Sequence, residues 1–516
     1  MAEPTVTPSA LEQLWAKLAQ KGDVPALGRS VQLVAQLTES DQAKLDALAA
    51  VILRDAALAS RVLRLANSAA YRRSNAGEVT TIARALVVLG FDTVRNLALT
   101  AAVFDRLGEQ QPAMQQVLAK ALFSALFAEA LAGRWQVPRD PLFLGTLFRH
   151  LGALLVHYHL PEESEQIAAL VAAGLPRSKA EQQVLGVSCA ALGLYVAKEW
   201  GLPTAVVTVI ETPAGPAPRE LAAKSAAAIG WLASVAETVG AQIAETGGSV
   251  AEARQLLNDR FPFLRALTPA QWQAIGEESG VALRHWWQAL VGNSLPSRFA
   301  EVVGDQPAVG TSASGVSAPS CPPAKAATPE RDEQADPAVP FDPDLALARL
   351  ATGLEELTQT LFERQPWNVV GYLACEVVWR ALRCERVMVL VRRQRLLLPA
   401  AGIAPEWSLL KKKGWGISLD GPPDVFQLAI GRGVDIEIDD RNAPTLAGKI
   451  PKALLSLPRG VSVLLLPLKG SSTEAVPGLL YCDKPLPHQL RLPPALKAML
   501  RQWRNLVAMA WRDHPA

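Results

Sequence analysis

Three of the chain's six histidines fall in one short stretch, GTLFRHLGALLVHYHLP at 145–161: His150, His157 and His159. Imidazoles at this density suggest metal-assisted hydrolysis, in which a bound cation activates water. The spacing argues against it. On a helix, His150 and His157 project the same way but lie two turns, roughly 10.5 Å, apart. That is too far to share an ion sitting about 2.1 Å from each nitrogen. His159 would point to the opposite side, near the helix end before Pro161, and Glu162 and Glu163 suit the first turn of the next helix. The expectation is a buried or boundary histidine cluster with no metal and no cofactor. No Walker A loop, G-x-S-x-G elbow or H-E-x-x-H helix occurs. Cys189 lies on an apolar helical pattern and is expected to be a small core residue, not a nucleophile.

The chain around these residues is long enough, at 516 residues, for two to four domains, and half of it is apolar. Charges interrupt the long apolar runs, so no window of roughly 18 residues is expected to span a bilayer. The start, MAEPTVTPSALEQLW, lacks the pattern of a secretory signal. Five scattered cysteines without a CxxC point to reduced thiols in a cytoplasm. A net charge of +2 gives no general case for nucleic-acid binding.

Residues 301–340 are rich in Pro, Ala, Ser and Gly and contain no Leu, Ile or aromatic residue, which predicts a flexible linker. Residues 1–300 carry 26 basic and 26 acidic groups, the linker 2 and 6, and residues 341–516 carry 23 and 17. The first module is expected to be all-α over 1–300, with its core at about 25–240 and further helices to about 292. Asp55 is placed to cap a helix at 55–67, Gly90 to stop one, and Asp92 or Thr93 to cap the next. Other helical patterns run through 115–135, 142–157, 162–173, 178–200, 203–211, 219–244 and 270–291. The second module, 341–516, changes period. Helices at 344–363 and 368–383 precede strand patterns at 387–393, 395–402, 434–438, 461–470 and 475–483. A short helix near 423–431 and a last one at about 493–512 complete an α+β domain with a central antiparallel sheet.

The succession DAALASRVLRLANSAAYRR, TIARALVVLGFDTVRNLAL, GTLFRHLGALL and LGVSCAALGLYVAKEWGLPTAVVTVI resembles the HD-related output domain (HDOD) family. That resemblance implies an HD-like helical bundle, usually without hydrolase activity, in a bacterial signalling protein. The central His-Asp pair of an HD hydrolase falls on Arg149-His150, and a permanent cation cannot ligate a metal. The downstream Asp-His falls on Ser188-Cys189, and later histidines on Glu211-Thr212-Pro213. The resemblance marks Asp55, Asn67, Ser68, Gly90, Arg95, Asn96 and Gly152 as structural signature residues. Asn67 is expected to bind free backbone groups at a turn. The Gly90 break mimics a helix-turn-helix, but only Arg95 and Asn96 would be offered to a groove.

Residues 341–485, through GISLDGPPDVFQLAIGRGVDIEIDD, SVLLLPLKG and GLLYCDKP, resemble a divergent GAF-type sensory domain. The resemblance implies a domain of a kind that can bind cyclic nucleotides, haem or bilins, or nothing at all. Arg392, Arg393, Arg395, Lys411, Lys412 and Lys413 form a candidate surface for an anionic ligand or partner, with Trp407 and Trp415 flanking the lysines. Cys482 is expected as a strand-core residue, and His488 and His514 lie outside the expected pocket. These readings imply a non-catalytic cytoplasmic signal-transduction protein that binds signalling proteins, with possible small-ligand input and no membrane insertion. The alternatives are a degenerate HD-type cyclic-dinucleotide phosphodiesterase and a nucleic-acid-binding regulator.

Overall fold

The computed structural model describes residues 8–20, 48–49, 52–53, 55–71, 79–107, 112–222, 225–247, 249–303, 341–407, 410, 414–458, 461–469, 476–485, 490 and 492–513. Packing divides the chain into two compact units. One comprises Met1–Thr38, Ser68–Ala70 and Asp92–Cys321, the other Glu39–Asn67, Tyr71–Phe91 and Pro322–Ala516. The sequence places the break between modules in 301–340. Packing instead groups two early segments with the C-terminal sheet. Of the expected linker, Glu301–Val303 complete a helix that starts at Ser297, and 304–340 lie outside the described residues.

The helices are α1 (Pro8–Ala19), α2 (Ala56–Ala66), α3 (Ile82–Leu89), α4 (Phe91–Leu107), α5 (Pro112–Trp135), α6 (Arg139–Arg149), α7 (Leu151–His159) and α8 (Pro161–Ala172). They continue with α9 (Arg177–Leu185), α10 (Cys189–Glu199), α11 (Thr204–Ile210), α12 (Ala226–Thr246), α13 (Val250–Arg260), α14 (Pro269–Leu290) and α15 (Ser297–Val303). Among the described residues the first unit contains helices and no strand. Helix α5 is its centre, packed by α6, α12 and α14, with Phe123, Phe127, Trp272 and Phe299 filling the space between. Caps explain several boundaries. Gly186 turns left-handed (φ 74°) and splits the expected 178–200 helix into α9 and α10, and Ser188 caps α10 through the Ala191 amide. Asp92 sits in the first turn of α4 instead of capping it, because the helix starts one residue earlier.

The expectation that charges interrupt every long apolar run needs correcting. Met114–Trp135 and Ala227–Thr246 are long and apolar enough to cross a membrane by length and composition, as is one bent pair, Ile82–Leu89 with Phe91–Phe104. Alanine-rich stretches with few charges satisfy that test without being strongly hydrophobic. Within the fold 67% and 56% of the two long windows are buried against other parts of the protein.

The second unit contains α2 and α3, then α16 (Pro343–Phe362), α17 (Trp367–Leu382), α18 (Val425–Arg432), α19 (Lys452–Leu455) and α20 (Pro494–Asp513). Its sheet comprises β1 (Arg386–Arg393), β2 (Leu396–Ile403), β3 (Ile417–Ser418), β4 (Ile436–Ile438), β5 (Ser462–Pro467) and β6 (Gly478–Lys484). The strands are ordered β3-β2-β1-β6-β5-β4 and every neighbouring pair is antiparallel. Leu480 of β6 lies opposite Val389 of β1 and Leu466 of β5. Helices α17 and α20 cover one face, and a cluster around Trp407, Phe426, Leu454 and Tyr481 fills the other. Burial on both faces is why VMVLV, SVLLLP and GLLYC read as continuous apolar runs. The two-residue strand β3 carries no periodic signal, and the sequence reading missed it.

Candidate functional site

At the position of the HD pair, the Arg149 guanidinium is buried and fully engaged. Nε donates to the Val209 carbonyl at 2.8 Å, Nη1 to Ser234 Oγ at 2.9 Å and Glu237 Oε2 at 3.2 Å, and Nη2 to the Glu211 and Gly230 carbonyls at 3.1 Å each. Val209 and Glu211 close α11, so the cation meets the negative end of that helix and ties it to α6 and α12. Arg149 thus acts as a three-helix clasp.

His150 is the junction between α6 and α7 (φ −85°, ψ −5°), and its backbone amide donates to Leu147. The sequence put His150 and His157 on one continuous helix. The helix breaks at His150 instead, and both imidazoles line a single cavity of about 280 Å³, together with Lys120, Arg177, Glu181 and Cys189. His150 is buried and its Nε2 has no hydrogen-bond partner. Burial, reinforced by Lys120 and Arg149, holds its pKa well below the ordinary histidine range. His157 Nδ1 lies 2.8 Å from Ser164 Oγ. His159 is buried against Tyr158. Glu181 accepts from the Cys189 amide at 2.9 Å, and burial pushes the Cys189 thiol up, so it is a poor nucleophile. Among the described residues no group of three or more His, Cys, Asp or Glu is placed to hold a metal ion.

The remaining signature residues act on backbone geometry. Asp55 caps α2 by accepting from the Leu58 amide at 3.0 Å. Asn67 donates to the carbonyls of Leu63 (3.0 Å) and Val79 (2.8 Å) and accepts from the Val79 amide (2.8 Å), a residue twelve positions away. Ser68 Oγ is buried without a hydrogen-bond partner. Gly90 ends α3 at φ 83°, a left-handed conformation that favours glycine. Gly152 allows α7 to touch α10, since a Cβ there would come within 1.9 Å of the Cys189 carbonyl oxygen. Arg95 is buried and paired with Asp140, and Asn96 is buried too, so neither is presented to a groove.

In the second unit a polar cluster that the sequence reading missed joins α3 to α16 and α17. Glu376 of α17 is fully buried and accepts from the backbone amides of Ile82 (2.7 Å) and Ala83 (2.9 Å), the first turn of α3. Glu356 of α16 accepts from the Thr80 amide (2.6 Å), Thr80 Oγ1 (2.7 Å) and Thr81 Oγ1 (2.6 Å). Thr81 in turn caps α3 through the Arg84 amide. Arg84 forms a two-pronged pair with Glu363 at 2.6 and 2.8 Å, and Arg380 bridges Glu376 and the Thr80 carbonyl. Burial pushes the Glu376 carboxyl up, while Arg380 and the two amides pull it back. Carboxylates at a helix N-terminus meet its unpaired amides and its positive end, the favourable placement. The only advance signal was a glutamate on the apolar face of each amphipathic helix.

The expected anionic-ligand surface comes together only in part. Arg392, Arg393 and Arg395 gather at the β1–β2 hairpin, where Arg395 pairs with Asp420 at 2.8 Å and Arg393 lies over the Trp511 ring. Lys411, Lys412 and Lys413, like His488 and His514, lie outside the described residues. Trp407 is buried in the core and Trp415 donates to the Ala453 carbonyl, so packing, not base stacking, is their role. Cys482 is a buried residue of β6.

Residues 24–216 match the model of the HDOD domain family. No curated protein matches the chain. A candidate phosphohydrolase from Shewanella amazonensis superposes with a TM-score of 0.40 and 23% identity, over 54% of this chain and 98% of its own. An HDOD domain protein of unknown function from Geobacter sulfurreducens gives 0.37 and 20%, over 56% and 93%. The GAF domain of an Acinetobacter phosphoenolpyruvate-protein phosphotransferase gives 0.26 and 13%, over 32% and 92%. The chain is therefore a multidomain protein in which residues 24–216 match the HDOD domain family and the C-terminal part is an α+β domain built on a six-stranded antiparallel sheet.

Proposed function

We propose that this is a non-catalytic bacterial signal-transduction protein, in which the GAF-like domain receives a ligand or partner and the HDOD helices bind signalling proteins. The observation that carries this reading is the carboxylate clamp. Glu356 and Glu376, on the first two helices of the GAF-like domain, hold the first turn of α3, a segment inside the HDOD match. A shift of α16 or α17 by one ångström would break hydrogen bonds of 2.6–2.9 Å and release that turn. Such a contact has two discrete states, which is what a relay needs. The non-catalytic part rests on Arg149, a cation held by helix carbonyls where an HD hydrolase would place a metal ligand.

Two measurements test the reading. Full-length protein with manganese, nickel or magnesium should not hydrolyse p-nitrophenyl phosphate or cyclic dinucleotides, whereas turnover lost on His150→Ala would overturn the non-catalytic assignment. Proteins captured from native cells should differ between wild type and Glu376→Gln. An identical set would remove the relay.

A further inference from the structure

Lys120 of α5 lines the cavity beside His150 and has no hydrogen bond or ion pair among the described residues. Its charged neighbours, Glu237, Arg177, Glu245 and Glu181, act on it from a distance. Of the acidic groups on the wall, Glu181 is engaged by the Cys189 amide and Glu245 is exposed at the rim, where Arg177 is exposed too. The polar surface that remains is the Lys120 ammonium, the His150 imidazole, the Gln116 side chain and the His157–Ser164 pair, of which Nε2 of His150 and Oε1 of Gln116 are buried and unpartnered. Buried polar atoms are nearly always paired, so an orphan facing a cavity marks a place where something else supplies the partner. The rest of the wall is mainly apolar, including Val117, Ala153, Val156, Ile167 and Ala168.

We propose that this cavity binds a small carboxylate with an apolar body, its anionic end on Lys120 and His150 and its hydrocarbon part against Val117, Ala153, Val156 and Ile167. One half-buried cation with one imidazole suits a monoanion. A phosphate dianion would need several convergent cationic donors, and among the described residues of this wall Lys120 is the one cation that is not exposed. A volume of about 280 Å³ is near the lower end for ligand pockets, so the occupant is a metabolite-sized molecule and not a dinucleotide. A neutral imidazole with an N–H at Nε2 donates to the second carboxylate oxygen. The site lies within the helical unit and does not rest on the relay proposed above.

Titration of the full chain with hexanoate, followed by calorimetry, tests the assignment, with hexanol and inorganic phosphate as comparison probes. Hexanoate should bind saturably at one site per chain, and both comparison probes at least about tenfold more weakly, because a charge-assisted contact and the apolar wall are both needed. Lys120→Met should weaken hexanoate by about tenfold or more. Ala153→Leu, which fills the cavity and leaves the ammonium in place, should abolish binding, and it keeps the test decisive if Lys120→Met does not fold. Absence of saturable hexanoate binding, phosphate binding as tight as hexanoate, or hexanoate binding that survives Ala153→Leu would each overturn the proposal.

Discussion

The Glu376 carboxylate lies 2.7 Å from the backbone nitrogen of Ile82, a residue 294 positions earlier in the chain. A helix end left without such a partner would bury unpaired amides, so this contact fixes how α3 docks on α17. Truncation should be costly. Glu376→Ala strands Arg380 and two amides, and should lower stability by roughly 3–5 kcal/mol, the range for breaking a buried ion pair. Urea unfolding monitored by tryptophan fluorescence measures it. A loss under 1 kcal/mol would mean the carboxylate is not the clamp.

Arg149 should tolerate no replacement. Arg149→Lys keeps the charge but cannot reach Val209, Glu211 and Gly230 from one planar group, so it should cost roughly 2–4 kcal/mol. Arg149→His, which restores the first residue of an HD pair, should destabilise the protein and gain no metal. Thermal denaturation with elemental analysis checks both parts.

His150 predicts a pH dependence. Its folded pKa lies well below 6.5, so protons favour the unfolded chain. Its stabilising contribution is present above pH 6.5 and is lost as pH falls below it. Near pH 5.5 the loss is about 1.4 kcal/mol, one pH unit of linkage. Glu129 works in the opposite sense. Burial raises its carboxyl to about 7, so its contribution is present at low pH and lost as pH rises through 7. The total slope therefore mixes two signs, and the diagnostic quantity is the difference between wild type and His150→Gln. Equal slopes for the two from pH 7.5 to 5.5 would contradict the assignment.

Gly152→Ala should be among the most damaging single methyl additions. The new carbon would meet the Cys189 carbonyl at 1.9 Å, a backbone atom that cannot rotate away. A cost of about 3 kcal/mol, at the upper end for overpacking, is expected from chemical denaturation.

How much of this was readable in the sequence depended on whether the signal was local. Asp55 before an apolar pattern and Gly90 after one gave helix ends, because capping involves residues a few positions apart. The apolar runs of β1, β5 and β6 gave the strands. Arg149 was identified as a position that cannot hold a metal, but not as a clasp, since its partners are 60 to 88 residues away. Glu356 and Glu376 looked like polar residues on amphipathic helices, and nothing nearby showed that backbone amides 276 to 294 residues away would claim them. Trp407 and Trp415 flank a lysine run in sequence, yet their rings are taken up by packing.

The most direct measurement of the clamp is amide hydrogen exchange at Thr80, Ile82 and Ala83 in wild type and in the Glu356→Gln, Glu376→Gln double variant. Those amides donate to the two carboxylates, and losing charge-assisted bonds should speed their exchange by about 10- to 100-fold. Amides of α5 should keep their wild-type rates. If Thr80, Ile82 and Ala83 exchange equally fast in both proteins, α16 and α17 do not hold α3 and the proposed relay is wrong.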